Sequence, residues 1–177
     1  SQVPLFRSPD MAFALAEVDR ERLPARTPVR VGVTVMDWGA QARNFAAQAA
    51  YEDSLFSLLH WLATERQAQI TVFCQCYGPT PDQDDRPAAR RLVHRLAIAG
   101  VAATLRDDFT DARQAIAAYA PLALLIATRM HTAIFGFCRA VPVLLIGYQP
   151  KAVGVMTTLG LQRYCLDIGA LQDAEMQ

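Results

Sequence analysis

Lysine is almost missing from this chain. Lys151 is the one lysine among 17 basic residues, and the excess of arginine is read as genome composition rather than function. Basic and acidic side chains balance at 17 each, so there is no charge surplus to spread over a nucleic-acid-binding face, and no nucleic-acid partner is expected. Apolar runs stop short of membrane-spanning length, because Arg129 and His131 interrupt the longest of them. The four cysteines, Cys74, Cys76, Cys138 and Cys165, make no C-x-x-C pair and no zinc spacing. Reduced thiols and no metal are therefore expected, in keeping with a cytoplasmic location. Familiar signatures are missing too. Where a dinucleotide site has G-x-G-x-x-G after its first strand, Val35-Met36-Asp37-Trp38-Gly39 stands, and neither a Walker A sequence nor G-x-S-x-G occurs. The start, SQVPLFRSPD, has no charged segment followed by an apolar one and no initiating methionine. It reads as part of a larger protein rather than as a signal peptide.

What is present is a generous interior. Hydrophobic residues make up 53% of the 177 and charged residues 19%, a balance suited to one substantial core rather than two large domains. Residues 1–28 carry Pro4, Pro9, Pro24 and Pro28 and no sustained periodicity, apart from one possible helical turn at Asp10 to Leu15. They read as an entry linker, and residues 29–177 as the folded domain. From Val29 onward, strand and helix patterns alternate. Strands are expected at Val29–Val35, Gln69–Cys76, Val101–Leu105, Leu122–Ala127, Val141–Ile146 and Tyr164–Ile168. Helices are expected at Asn44–Arg66, Pro87–Ala99, Asp107–Ala118, Thr132–Arg139 and Ala152–Leu159. On the long helix, Phe45, Ala49, Leu55, Leu58, Leu59 and Leu62 recur at three- and four-residue intervals as its core stripe. This alternation predicts an α/β fold: a doubly wound, Rossmann-like parallel sheet of about six strands, with 3-2-1-4-5-6 as the commonest order.

In such a sheet ligands bind at the carboxyl ends of the strands. The polar residues of Leu122 to Lys151 gather there. Arg129, His131 and Thr132 sit between a buried strand and a helix start, where unpaired backbone N–H groups and the helix dipole favour an anion. Two readings of Arg129 are open: an anion ligand, or the partner of an acidic neighbour. His131 is the general-acid candidate, because an adjacent anion favours the protonated imidazole, or else a capping residue. Tyr148, Gln149 and Lys151 leave the next strand at the same edge, with Lys151 a candidate point charge for phosphate. Gln75, Tyr77 and Gly78 after the second strand, and Asp37 and Trp38 after the first, are weaker candidates. His60 is expected to pack beside Trp61, and His94 to be solvated. The PDQDD stretch at Pro81–Asp85 has no EF-hand spacing and reads as a solvated loop.

These pieces together resemble the carboxyl-terminal half of the polysaccharide pyruvyl transferase family. They are VGVTVMDW at the first strand, QCYGP with the acidic DQDD, then ATRMHTAIFGFCRAVPVLLIGYQPK, GVMTTLGL and YCLDI. The resemblance covers nearly all of the chain from about Pro9. It implies one half of a glycosyltransferase-B-like enzyme that moves the enolpyruvyl unit of phosphoenolpyruvate onto a sugar as a pyruvate ketal, in bacterial cell-surface polysaccharide or exopolysaccharide synthesis. The family's Arg-x-His segment, which holds the donor, carries over onto Arg129 and His131. By their position at the same sheet edge, rather than by the resemblance, Thr132, Lys151, Tyr148 and Gln75 are expected to complete the donor site. The implied partners are phosphoenolpyruvate, a sugar or lipid-linked saccharide acceptor and the missing amino-terminal half, at the inner face of the membrane. No cofactor is implied, and the chain alone is expected to be inactive. Family members commonly carry a basic residue where Met36 stands, so one donor ligand is absent. Two other readings stand beside this one. A nucleotide-sugar-binding half of a glycosyltransferase would want a carboxylate after the fifth strand, and a binding module would have kept the fold without catalysis.

Overall fold

The computed structural model describes residues 10–16, 28–37, 45–80 and 83–172. Among them six strands form one parallel sheet: β1 Arg30–Thr34, β2 Gln69–Phe73, β3 Ala103–Arg106, β4 Leu124–Ala127, β5 Val143–Gly147 and β6 Cys165–Asp167. Their order is β3-β2-β1-β4-β5-β6, as expected from the alternation. Five α-helices connect them: α1 Phe45–Arg66, α2 Arg86–Ile98, α3 Ala112–Tyr119, α4 Met130–Phe137 and α5 Pro150–Thr158.

The strands are apolar on both sides because helices cover both faces. On one face Val31, Val33, Ile70, Val72, Ile126 and Ile146 pack with Tyr51, Leu55 and Leu59 of α1 and Ala88, Leu92 and Leu96 of α2. On the other, Phe73, Leu125, Ala127, Val143 and Leu145 meet Ile116 and Tyr119 of α3, Ile134 of α4 and Met156 of α5. Gly32 permits a close approach in mid-strand, since a Cβ there would stand 2.5 Å from Leu122 Cδ1 and 2.9 Å from Phe73 Cε2. The 3-10 turn Met11–Leu15, capped by Asp10 Oδ1 accepting from the Ala12 N–H at 2.9 Å, packs Phe13 and Leu15 onto the second core. Residues 1–9 and 17–27 of the expected linker 1–28 lie outside the described residues.

Several expected boundaries move. The second strand ends at Phe73 instead of Cys76, so Cys74, Gln75 and Cys76 belong to its exit loop. The helix expected from Asp107 begins five residues later, where Asp111 accepts from the Gln114 N–H at 3.0 Å and supplies the cap. The helix expected from Thr132 starts at Met130, which brings His131 into its first turn. On α1 the expected stripe is shifted. Ala49 is exposed, while Gln48, Tyr51, Glu52, Leu55 and Leu59 are buried. The two polar residues can face inward because Gln48 Nε2 donates to Glu52 Oε1 at 2.6 Å and Arg91 Nη2 donates to the same oxygen at 2.6 Å. His60 packs against Phe56, with ring centroids 5.8 Å apart, while Trp61 is exposed beneath the Arg66 guanidinium. His94 is exposed, as expected. The four cysteines are free. No described helix is long and apolar enough to cross a membrane.

Candidate functional site

The sheet order puts the topological switch point between β1 and β4, and the exits of these strands are tied together below the surface. The Thr128 hydroxyl donates to the Thr34 carbonyl at 2.9 Å, the Thr128 N–H donates to Thr34 Oγ1 at 3.0 Å, and the Tyr51 hydroxyl lies 2.7 Å from Thr128 Oγ1. Thr34, Tyr51 and Thr128 are all buried, and burial pushes the Tyr51 phenol well above its ordinary range. Met36, where the resembled family commonly has a base, is also fully buried, its carbonyl accepting from Gln48 Nε2 at 3.1 Å.

Above this layer Arg129 takes the second of its two readings. Its Nε donates to both oxygens of Asp85 at 3.1 Å, and its Nη2 donates to Oδ1 at 2.6 Å. The side chains are 14% and 0% exposed, so this is a buried ion pair. Asp85 Oδ2 also accepts the backbone N–H groups of Gln75 at 3.1 Å and Cys76 at 2.9 Å. Burial works against the Arg129 charge, but the Asp85 bonds outweigh it and raise the guanidinium pKa. One carboxylate thus fastens the β2 exit, the start of α2 and the β4–α4 junction, spanning the end of β1.

The solvated-loop expectation for PDQDD is therefore corrected where it is described. Asp85 is in the interior, and Asp84 forms a fork with Arg86, with Nη2 to Oδ2 at 2.7 Å. Asp82 lies outside the described residues, as does Trp38. Asp85 is the residue the sequence reading missed. Its signal was indirect: an arginine directly after a fully apolar strand needs a carboxylate nearby.

Five of the six candidate residues line one cleft of about 330 Å³: Gln75, Arg129, His131, Tyr148 and Lys151, with Cys76, Phe135 and Gln149 between them. Two helix starts open onto it. Arg129 is the N-cap of α4 and Gln149 that of α5; neither side chain caps its helix, and neither first turn holds an acidic residue. The opening N–H groups of α4 are left to a ligand or water, whereas at α5 Pro150 has no N–H and the Ala152 N–H donates to the Gln149 carbonyl at 3.0 Å, which leaves the Lys151 N–H. His131, 54% exposed, has Nε2 at 3.9 Å from Asp10 Oδ2 and its ring 6.3 Å from Phe135. It does not cap α4, leaving a solvent-facing imidazole at the cleft wall. Lys151 is exposed in the first turn of α5. Burial raises the Tyr148 phenol pKa, and the Arg129 charge opposes part of that rise. Thr132 is the exception. It is fully buried, and its hydroxyl donates to Gln75 Oε1 at 3.2 Å instead of facing the cleft.

With Asp85 cancelling Arg129, the remaining positive character comes from Lys151, the two helix starts and His131 when protonated. No carboxylate lines the cleft among the described residues. That arrangement suits a small anion carrying phosphate or carboxylate oxygens. No grouping of three or more His, Cys, Asp or Glu side chains among the described residues is placed to hold a metal. Gly78, at φ +98°, turns the chain after Tyr77, whose hydroxyl donates to the Cys74 carbonyl at 3.2 Å and so faces away from a ligand. Asp37 lies 3.3 Å from Arg91, on the α2 side.

No family model matches the chain, and no solved structure matches it. Among characterised proteins it is similar to the amylovoran biosynthesis protein AmsJ of Erwinia amylovora, 31% identical over 113 residues. That match covers 63% of this chain and 27% of the relative, so the chain corresponds to about a quarter of that protein's length.

Proposed function

We propose that the chain is the donor-binding domain of a polysaccharide-biosynthetic transferase, one that moves pyruvate from phosphoenolpyruvate to a sugar as a ketal. The observation that carries this reading is the convergence of Gln75, Arg129, His131, Tyr148, Lys151 and two uncapped helix starts on one cleft. The similarity to an amylovoran biosynthesis protein supports the broader role in polysaccharide synthesis.

The Lys151 side chain, the Lys151 N–H at the start of α5 and the N–H groups opening α4 bind the phosphate and carboxylate oxygens of the donor. Arg129, held by Asp85, stiffens the wall beside Tyr148. Protonated His131 gives its proton to the donor's methylene carbon, leaving an oxocarbenium-like centre at the carbon that bears phosphate. One sugar hydroxyl attacks that carbon and returns a proton to His131. A second hydroxyl then forms the other C–O bond as the C–O bond to phosphate breaks, and its proton leaves with inorganic phosphate. The acceptor, lipid-linked or free, is positioned by the remainder of the full-length protein. Met36 takes no part, because its side chain is fully buried and does not line the cleft.

A nucleotide-sugar site is the less favoured reading, since a ribose would want a carboxylate at the β5 exit and Gln149, Pro150 and Lys151 stand there. Calorimetric titration of the chain with phosphoenolpyruvate and with UDP-glucose separates the two. Phosphoenolpyruvate binding is expected, weakened about tenfold or more in Lys151→Ala. In the full-length protein His131→Ala is expected to lower turnover by about 10²–10⁴ with little change in donor binding. Binding of UDP-glucose without phosphoenolpyruvate overturns the proposal. Arg129→Ala is the poorer probe, because it also strands the buried Asp85 charge.

A further inference from the structure

Gln75 leaves the end of β2 and lines two adjoining spaces: the cleft above and a hollow of about 250 Å³ that it shares with Tyr77, Phe109 and Phe135. Both ends of the residue are held. Its backbone N–H donates to Asp85 Oδ2 at 3.1 Å. Its side-chain Oε1 accepts from the Tyr119 hydroxyl at 3.0 Å and from the Thr132 hydroxyl at 3.2 Å. A carboxamide carries its acceptor and its donor at opposite corners of one plane, so two donors on Oε1 decide which way the group faces. Thr132 and Tyr119 are fully buried, and burial raises the Tyr119 phenol pKa so that it stays a donor. Gln75 Nε2 has no protein partner among the described residues. No buried side-chain nitrogen or oxygen there lacks one, so Nε2 is not fully enclosed, and the residue lines both spaces.

We propose that Gln75 is a specificity-determining residue of the cleft. Tyr119 and Thr132 hold its amide N–H₂ outward as a donor-only group that donates to a carboxylate or phosphate oxygen and rejects a ligand donor. Tyr119 from α3 and Thr132 from α4 are positioning residues, and Asp85 fixes the backbone from the start of α2. This explains why Thr132 is buried away from the cleft yet bonded to a residue that lines it. The inference rests on the proposed function only in taking the ligand to be an anion, not in which anion it is.

The test is titration of the full chain with phosphoenolpyruvate and, separately, with inorganic phosphate and pyruvate. It is run for the wild type, Gln75→Glu, Gln75→Ala, Thr132→Val, Thr132→Ser and Tyr119→Phe, with thermal melts confirming folding. Gln75→Glu is nearly isosteric and keeps an acceptor for both hydroxyls while replacing the outward donor by a negative oxygen. It is expected to weaken whichever anion the wild type binds by about tenfold or more. Thr132→Val and Tyr119→Phe each weaken it severalfold, Thr132→Ser restores it, and neither change costs anything further in Gln75→Ala. Phosphoenolpyruvate binding untouched by Gln75→Glu, or a Thr132→Val loss that persists in Gln75→Ala, overturns the inference and leaves the proposed function standing. Gln75-dependent binding of phosphate or pyruvate without phosphoenolpyruvate does the reverse. No anion binding at all overturns both.

Discussion

Asp85→Ala tests the central structural device, because one carboxylate there serves a guanidinium and two backbone N–H groups. Breaking a buried ion pair from one side costs about 3–5 kcal/mol, most of it the penalty of leaving the other charge buried and alone. Arg129 is 14% exposed and Asp85 not at all, so the stranded arginine has some access to cleft water. That places the pair loss near the lower end, about 3 kcal/mol. The Gln75 and Cys76 N–H groups lose their acceptor too, at up to about 1–3 kcal/mol each if water does not replace it. The expected loss is thus about 3 kcal/mol if water replaces the lost acceptor and about 5–9 kcal/mol if it does not, from a domain stability of about 5–15 kcal/mol. Arg129→Met strands the fully buried Asp85 instead and should cost as much. Asp85→Ala with Arg129→Met removes both charges and leaves only the two N–H groups unsatisfied. A double-mutant cycle by urea denaturation should therefore show the pair of changes costing less than the sum of the singles, by about 3 kcal/mol or more. Additive losses, or a cost below about 1 kcal/mol for Asp85→Ala, would refute the reasoning.

Gly136→Ala is expected to destabilise by about 1–3 kcal/mol in denaturant melts, although alanine is the better helix former by about 1 kcal/mol. The added Cβ on α4 would stand 2.8 Å from Leu125 Cδ2 and 2.9 Å from Val143 Cγ2, both on the sheet beneath; a stabilised variant would contradict that packing. Thiol labelling at neutral pH, mapped by mass spectrometry, should modify Cys76 and Cys165 in the folded chain and spare Cys74 and Cys138 until it unfolds. Cys74 and Cys138 are buried, and burial pushes the Cys74 thiol up to about 12. Phosphoenolpyruvate should slow labelling at Cys76, which lines the cleft, and leave Cys165 unchanged. Equal rates at Cys74 and Cys76 would refute this account.

The fold was legible because it rests on local patterns. Leu122 to Ala127 and Val141 to Ile146 are uniformly apolar, so they had to be strands with both faces covered, and the alternation with helices implied parallel crossovers. Boundaries were less legible. Composition does not mark where Gln75 and Cys76 stop pairing with a neighbouring strand, nor that Asp111 outcompetes Asp107 as the α3 cap. The α1 stripe was misjudged for a related reason. Gln48 and Glu52 look solvent-facing on any polarity scale, yet they are buried because Arg91, on another helix, meets Glu52 there.

The sequence by itself determined which residue types reach the carboxyl edge of the sheet. Arg129, His131, Tyr148 and Lys151 each lie within four residues of the end of a buried strand, and connectivity alone carries them to that edge. What each side chain does once there was decided only by the tertiary structure. Asp85 is 44 residues from Arg129 and reads as part of a polar loop, but the loop leaving β2 carries it to the start of α2 and into contact. That contact turns Arg129 from a free anion ligand into half of a buried pair. In the proposed function the anion-binding task falls instead to Lys151 and the helix starts. Thr132 shifts likewise from ligand to support. Hydrophobic periodicity is a property of neighbours in the chain, whereas pairing a buried charge or satisfying a buried hydroxyl depends on partners brought together through space.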